Sequence, residues 1–242
     1  GATADGANTL VIGDYNSDNH GTIHLGAASG TPLDATGGTS LTVNHQSATG
    51  TSDTLNLFFQ DTDNGAGTTT ITSAGTEVLN ITALNAAETH LINTSAVTPT
   101  TGSATTININ GYLATASSTA TVTLTTTSAL TTKIDATGYA GTLTVADRGA
   151  VAMEIIGSLG ADTIQMEKGG DTISGRTGSD TLDVNYYATI SGITVDLSST
   201  EDQIVSFDGA ATSGTVTGFE KITLADYTGG FGANVTSGSS TT

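Results

Sequence analysis

Apolar residues along this 242-residue chain recur in pairs at alternate positions. The pairs are Leu41/Val43, Leu55/Leu57, Leu79/Ile81, Ile107/Ile109, Val122/Leu124, Leu143/Val145, Leu182/Val184, Ile193/Val195 and Ile222/Leu224. Side chains alternate between the two faces of a strand, so each pair predicts a short strand with one face inward and one outward. Gly, Asn, Asp, Ser and Thr fill the stretches between and favour turns. No long segment repeats its apolar residues at helical spacing. Leu84 to Leu91 comes nearest, but it is short and Ala-rich and reads as a turn or an excursion from one coil.

Short strands at irregular intervals suit a stacked parallel solenoid or an antiparallel sandwich. The phrases Gly75–Ile81 (GTEVLNI) and Thr105–Gly111 (TTINING) read as solenoid rungs, and Gly218–Leu224 (GFEKITL) repeats the first almost residue for residue. Small residues at the corners and 5% aromatics suit a thin core. The expectation is an all-β chain, a parallel β-solenoid or β-roll over most of its length, with an irregular or sandwich-like end. At about 20 residues per coil and roughly 4.8 Å per rung, the rod would be about 55–60 Å long.

A stricter repeat lies within this pattern. From Gly157 the chain reads GSLGADTIQ, MEKGGDTIS, GRTGSDTLD. Asp162, Asp171 and Asp180 stand nine apart, and Gly160, Gly169 and Gly178 keep the same step. So do Thr163, Thr172 and Thr181, and the apolar Ile164, Ile173 and Leu182. The segment resembles the nonapeptide G-G-x-G-x-D-x-U-x of RTX proteins, which builds a calcium-loaded parallel β-roll. The resemblance implies Ca2+ as the cofactor and two nonapeptides per coil. It also implies a calcium between loops one coil apart, which here are those of Asp162 and Asp180, with Asp171 on the opposite side. The candidate metal residues of the segment are Gly157, Gly160, Asp162, Gly169, Asp171, Gly175, Gly178 and Asp180. The chemistry is coherent: calcium takes six to eight oxygens from carboxylates and carbonyls, and glycine allows the turn that aims carbonyls inward. One repeat outward, the Asp position is Met153 on one side and Thr189 on the other, so the strict motif ends there. The chain divides accordingly into a Thr/Gly-rich solenoid region (residues 1–150), a nonapeptide roll (151–190) and a β-rich continuation or cap (191–242).

Composition narrows the setting. There are 51 Thr and 31 Gly, with 2 Pro, which argues for β structure and against a mucin-like stalk. Without Cys there are no disulfides, and calcium is the alternative staple. Twenty-three acidic residues against 5 basic ones give a net charge of -18. That excludes nucleic acid as a partner, because binding a polyanion needs a cationic face. No apolar stretch is long enough for a transmembrane helix. The chain begins Gly1-Ala2-Thr3 and ends in a polar tail from Ser237 to Thr242, as expected of a mature or excised fragment. Ile134–Val145 (IDATGYAGTLTV) is similar to stretches in the RTX-type surface-layer proteins of Gram-negative bacteria. That resemblance implies type I export, a place at the cell surface, self-assembly of identical copies, and lipopolysaccharide or another surface glycan as partner. An RTX adhesin, a carbohydrate-binding module or the calcium-binding appendage of an exported hydrolase are the alternative readings.

Two further turns carry calcium-like spacing: Asp14, Asn16 and Asp18, and Asp61, Asp63 and Asn64. The EF-hand glycine and closing Glu are missing from the first. His20 and His24 are four apart, but the sequence around them favours a strand, on which that spacing separates them by about 13 Å. Catalysis is not expected. There is no Cys nucleophile, no G-x-S-x-G and no phosphate loop, and the five cations Lys133, Arg148, Lys168, Arg176 and Lys221 are scattered. Thr-x-Thr arrays such as Thr121/Thr123/Thr125 resemble those of ice-binding solenoids, but Thr is also a good solvent-facing strand residue.

Overall fold

A computed structural model describes residues 8–12, 20–25, 40–45, 50–59, 68–83, 89–111, 120–146, 151–167, 169–184, 192–224 and 233–236. The first strands in chain order are β1 (Asn8–Ile12), β2 (His20–Leu25), β3 (Ser40–His45), β4 (Thr54–Phe59), β5 (Thr69–Ala74) and β6 (Val78–Ala83). Next come β7 (Thr89–Thr98), β8 (Thr105–Gly111), β9 (Thr121–Thr127), β10 (Thr131–Gly138) and β11 (Thr142–Val145). Shorter strands follow: β12 (Glu154–Ile156), β13 (Thr163–Met166), β14 (Thr172–Ser174) and β15 (Thr181–Val184). The last are β16 (Ile193–Asp196), β17 (Ile204–Phe207), β18 (Val216–Thr217), β19 (Lys221–Thr223) and β20 (Ala233–Thr236). No helix occurs among the described residues, so none is long and apolar enough to cross a membrane.

The chain alternates between two parallel sheets. One has nine strands in the order β1-β3-β5-β7-β9-β11-β13-β15-β19, and the other has eight, β18-β14-β12-β10-β8-β6-β4-β2. This is a parallel β-solenoid. The rungs of β4, β6 and β8 repeat one inward pattern: Leu55 and Leu57, Leu79 and Ile81, and Ile107 and Ile109 are fully buried and in register. The facing sheet supplies Ile92, Val122, Leu124, Leu143 and Val145 to the same core. Tyr139 fills the corner left open by Gly111 and Gly141, either of whose Cβ atoms would collide with its ring.

The coils shorten along the chain. Asn8 pairs with Leu41, Val78 with Thr106, Ile134 with Ile155 and Ile155 with Ile173. A coil therefore runs from more than thirty residues at the start to 18 in the nonapeptides. Long early coils also use more chain per rung: the nine strands described in the longer sheet span about 40 Å at about 4.8 Å per rung, less than a uniform 20-residue coil predicts for the chain.

The step from Ile173 to Val216 is an exception, because a hairpin interrupts it. There β16 pairs antiparallel with β17 and parallel with β20. The amide of Gln203 fixes this small sheet to the stack: Phe219 N–H donates to Oε1 at 2.9 Å, and Nε2 donates to Phe219 O at 2.7 Å. Gln203 N–H donates to Val216 O at 2.7 Å, and Asp202 accepts from Val216 N–H at 3.0 Å. The hairpin thereby covers the edge of β18, which would otherwise offer unpaired backbone groups.

Candidate metal corner

Each nonapeptide Asp stands immediately before a strand: Asp162 before β13, Asp171 before β14 and Asp180 before β15. Since β13 and β15 are neighbours in one sheet and β14 lies in the other, Asp162 and Asp180 stack on one wall and Asp171 faces the opposite one. The spacing of the repeat requires this, because nine residues cross from sheet to sheet and eighteen return. All three side chains are at most 1% exposed.

A buried carboxylate needs donors, and here they come from the preceding rung and from the turn just before the Asp. Asp180 Oδ1 accepts the Asp162 N–H at 2.8 Å. Asp162 Oδ1 accepts from Leu143 N–H at 2.8 Å, and its Oδ2 from Ser158 N–H at 2.6 Å. Asp171 Oδ1 accepts from Met153 N–H at 3.0 Å. The ladder therefore survives at Met153, where the side chain is wrong but the amide is present.

Two members of the device escape the nine-residue count. Glu220 stands before β19 and accepts the Asp180 N–H at 2.8 Å. Glu77 stands before β6 and accepts the Asp53 N–H at 2.9 Å and the Thr100 N–H at 2.5 Å. The signal was legible as G-x-[D/E] ahead of an apolar strand. Gly75 and Gly218 precede these Glu residues with φ of 70° and 75°, and Gly178 precedes Asp180 with φ of 146°. The longer Glu lets the ladder continue across the inserted hairpin.

The wall of Asp162, Asp180 and Glu220 is rich in oxygen and poor in donors. Asp180 Oδ2 is buried and has no hydrogen-bond partner. The space beside Gly175 is bordered by that oxygen, 2.8 Å from where a Cβ would be, and by the Gly218 carbonyl. Beside Gly157, Asp162 Oδ2, Gly175 O and Ser174 O lie 2.5, 2.7 and 3.0 Å from the corresponding point. Gly178 faces Asp180 Oδ1 and the Gly160 carbonyl in the same way. Only a residue without Cβ fits at these points. Burial raises the pKa of Asp162 to about 6, against the donors that lower it. Burial together with the nearby Asp162 and Glu220 raises that of Asp180 to about 7.

The second position of each repeat departs from glycine. Ser158 Oγ lies 2.5 Å from Asp162 Oδ1 and 2.6 Å from Gly141 O. Arg176 takes φ of 72°, a left-handed value that glycine would adopt freely. Its Nη1 lies 3.4 Å from Thr137 O and 3.5 Å from Gly157 O. On the opposite wall, the Gly169 carbonyl accepts N–H groups from Ser213 at 2.9 Å and Gly214 at 3.2 Å, so the hairpin segment closes that corner.

Among the described residues no three acidic or histidine side chains converge on one point. A cation here would take two carboxylates and several carbonyls, a donor set that suits hard calcium and not zinc. Asp14, Asp18, Asp61 and Asp63 lie outside the described residues. Comparison with protein-family models, curated proteins and solved structures finds no match.

Proposed function

We propose that this chain is a secreted, calcium-dependent structural protein that assembles with identical copies into a bacterial surface layer. One observation carries the calcium part: a fully buried Asp180 carboxylate, with one oxygen lacking any donor, stands in a corner lined by backbone oxygens. Leaving such a group unpaired costs about 1–3 kcal/mol or more if charged, and a divalent cation removes that cost. Asp180, Asp162 and the carbonyls of Gly175, Ser174 and Gly218 would hold the ion. When bound, it would supply positive charge that neutralises crowded carboxylates and ties adjacent rungs together.

The structural role is supported by the same physics. A net charge of -18 repels itself and destabilises the compact chain. Extracellular modules bind calcium with Kd of about 10⁻⁴–10⁻³ M, so the chain would rigidify at extracellular calcium levels. A calcium titration following circular dichroism and particle size tests the reading. Gain of β signal at millimolar calcium with ordered assembly is expected, and Asp162→Ala with Asp180→Ala should abolish both. A calcium response confined to one monomer would retain the metal and reject the layer. No response at all would reject the metal too.

A further inference from the structure

Away from the metal corner, the outer face of the eight-stranded sheet carries a ladder of amides. Asn56, Asn80 and Asn108 are in register on β4, β6 and β8. Asn80 Nδ2 donates to Asn56 Oδ1 at 2.7 Å, and Asn108 Nδ2 donates to Asn80 Oδ1 at 2.8 Å. Such ladders stabilise stacked strands, but this one does not close. The next residue in register is Asp135, on β10, whose side chain has no N–H to give. Among the described residues Asn108 Oδ1 has no donor, and it lies next to a carboxylate that is itself an acceptor. Asp135 Oδ1 already takes the Thr137 N–H at 3.0 Å and hydroxyl at 2.7 Å.

Beside the ladder runs a second column, Thr82 and Asn110, also in register. Neither side chain hydrogen-bonds to any described residue. Gly138 has no Cβ, and one there would collide with Asn110 Oδ1, so the glycine makes room for this amide. The two columns and Thr137 enclose an open groove of about 340 Å³. That lies at the small end of the range of about 300–1,000 Å³ for ligand sites. It crosses β4 to β10, about 14 Å along the stack at roughly 4.8 Å per rung.

We infer that this groove binds a neutral oligosaccharide chain lying along the solenoid axis. Its lining alternates amide donors with amide, hydroxyl and carboxylate acceptors. A sugar hydroxyl both donates and accepts, so vicinal hydroxyls can donate to Asn108 Oδ1 and Asp135 while accepting from the free amide hydrogens of Asn110. A phosphate or sulfate could only accept; Lys133 beside Asp135 is already shared between Asp135 at 3.6 Å and Glu154 at 3.2 Å, so an anion would meet Asp135 and the acidic chain. The rung spacing is close to the length of one sugar residue, so successive sugars can repeat the same contacts. The inference does not use the calcium corner; it gives the surface glycan that the surface-layer resemblance implies a place on this chain, and it fails or stands by binding alone, without any layer forming.

The test uses the whole chain, with and without calcium. Asn side-chain amide NMR signals are followed while neutral hexasaccharides of glucose, mannose and galactose are added to millimolar concentration. A phosphorylated hexasaccharide is the control. Saturable shifts of the Asn80, Asn108 and Asn110 amides with at least one neutral chain are expected, whether or not calcium is present. Asn110→Ala and Gly138→Ala should each weaken binding at least tenfold with unchanged circular dichroism; Asn110 makes no ladder bond, so its loss leaves the stack intact. The inference fails if no neutral chain moves these amides, if only the phosphorylated one does, or if both variants bind like the parent chain.

Discussion

The coils from β4 to β10 and those from β12 to β15 face one problem, keeping a strand in register on its neighbour, and solve it differently. The first group has strands of six to ten residues with up to three buried apolar side chains each, such as Leu55, Leu57 and Phe59. Their register is set by volume inside and an amide ladder outside, with Glu77 adding a carboxylate bond back to the Asp53 N–H. The second has strands of three or four residues, and β12 and β14 bury Ile155 and Ile173 as their main apolar side chains. With so little apolar area, register there depends on carboxylates reaching back to backbone N–H groups. A coil can be thin if it replaces hydrophobic burial with buried charge, but charge then needs compensation.

That contrast can be broken at its strongest point first. Ile107→Ala, in the wide coils, should cost about 2–5 kcal/mol, equally with and without calcium, as read by urea unfolding. Calcium should act on the other group. At a hundredfold excess over Kd, one site adds about 2.7 kcal/mol. Hydrogen exchange should locate the gain between β12 and β15. If protection rose evenly from β4 onward, the two regions would not be energetically distinct.

Proton linkage separates them next. Asp162 and Asp180 titrate near 6 and 7 in the folded chain, against about 3.9 when unfolded. Their folded pKa values are raised, so their contribution to stability is complete below about pH 4 and is lost as pH climbs through 6 and 7. Without calcium, the melting temperature should fall between pH 4 and pH 7.5; Asp180→Asn should flatten that slope. Asp135 and Asp196 have lowered pKa values and act only at more acid pH. Calcium should abolish the fall by favouring the ionised carboxylates. A calcium-free Tm that rises over this range contradicts the account of the corner.

The smallest effects are single-residue corrections. Arg176→Gly relieves a left-handed residue and should gain about 1 kcal/mol. Tyr139 Oη is buried with no hydrogen-bond partner, and burial pushes its pKa well up. Tyr139→Phe should therefore leave stability unchanged or raise it by about 1 kcal/mol.

Much of the architecture was legible because a solenoid repeats one rule. The alternating pairs from Leu41/Val43 to Ile193/Val195 all lie inside strands, and only Leu224 of the last pair falls just beyond β19. The two-wall arrangement of the three Asp residues follows from their spacing alone. The rest was hidden for physical reasons. In β7 the alternation breaks, because the register shift opposite Thr70/Thr72 puts one extra residue into the strand, while the shift at Ile92/Asn93 puts one into β9. There His90, and not an aliphatic residue, is buried beside Phe59, their rings 5.0 Å apart. The segment read as a turn up to Leu91 already enters this strand at Thr89. Glu220 joins the Asp wall only through a 40-residue step from Asp180. No local count can anticipate that step, because it depends on where the inserted hairpin returns the chain.

The shortening of the coils has a kinetic consequence. Closing a loop costs entropy that grows with its length, about 0.6 kcal/mol for each doubling, so the 18-residue coils are the easiest to close and, apart from the step that carries the inserted hairpin, the coils near β1 the hardest. In a stack each rung also templates the next. Folding should thus nucleate at the nonapeptides, once their carboxylates are neutralised, and propagate toward the N-terminal strands. A single ion-sensitive step near one end would then time the ordering of the whole rod.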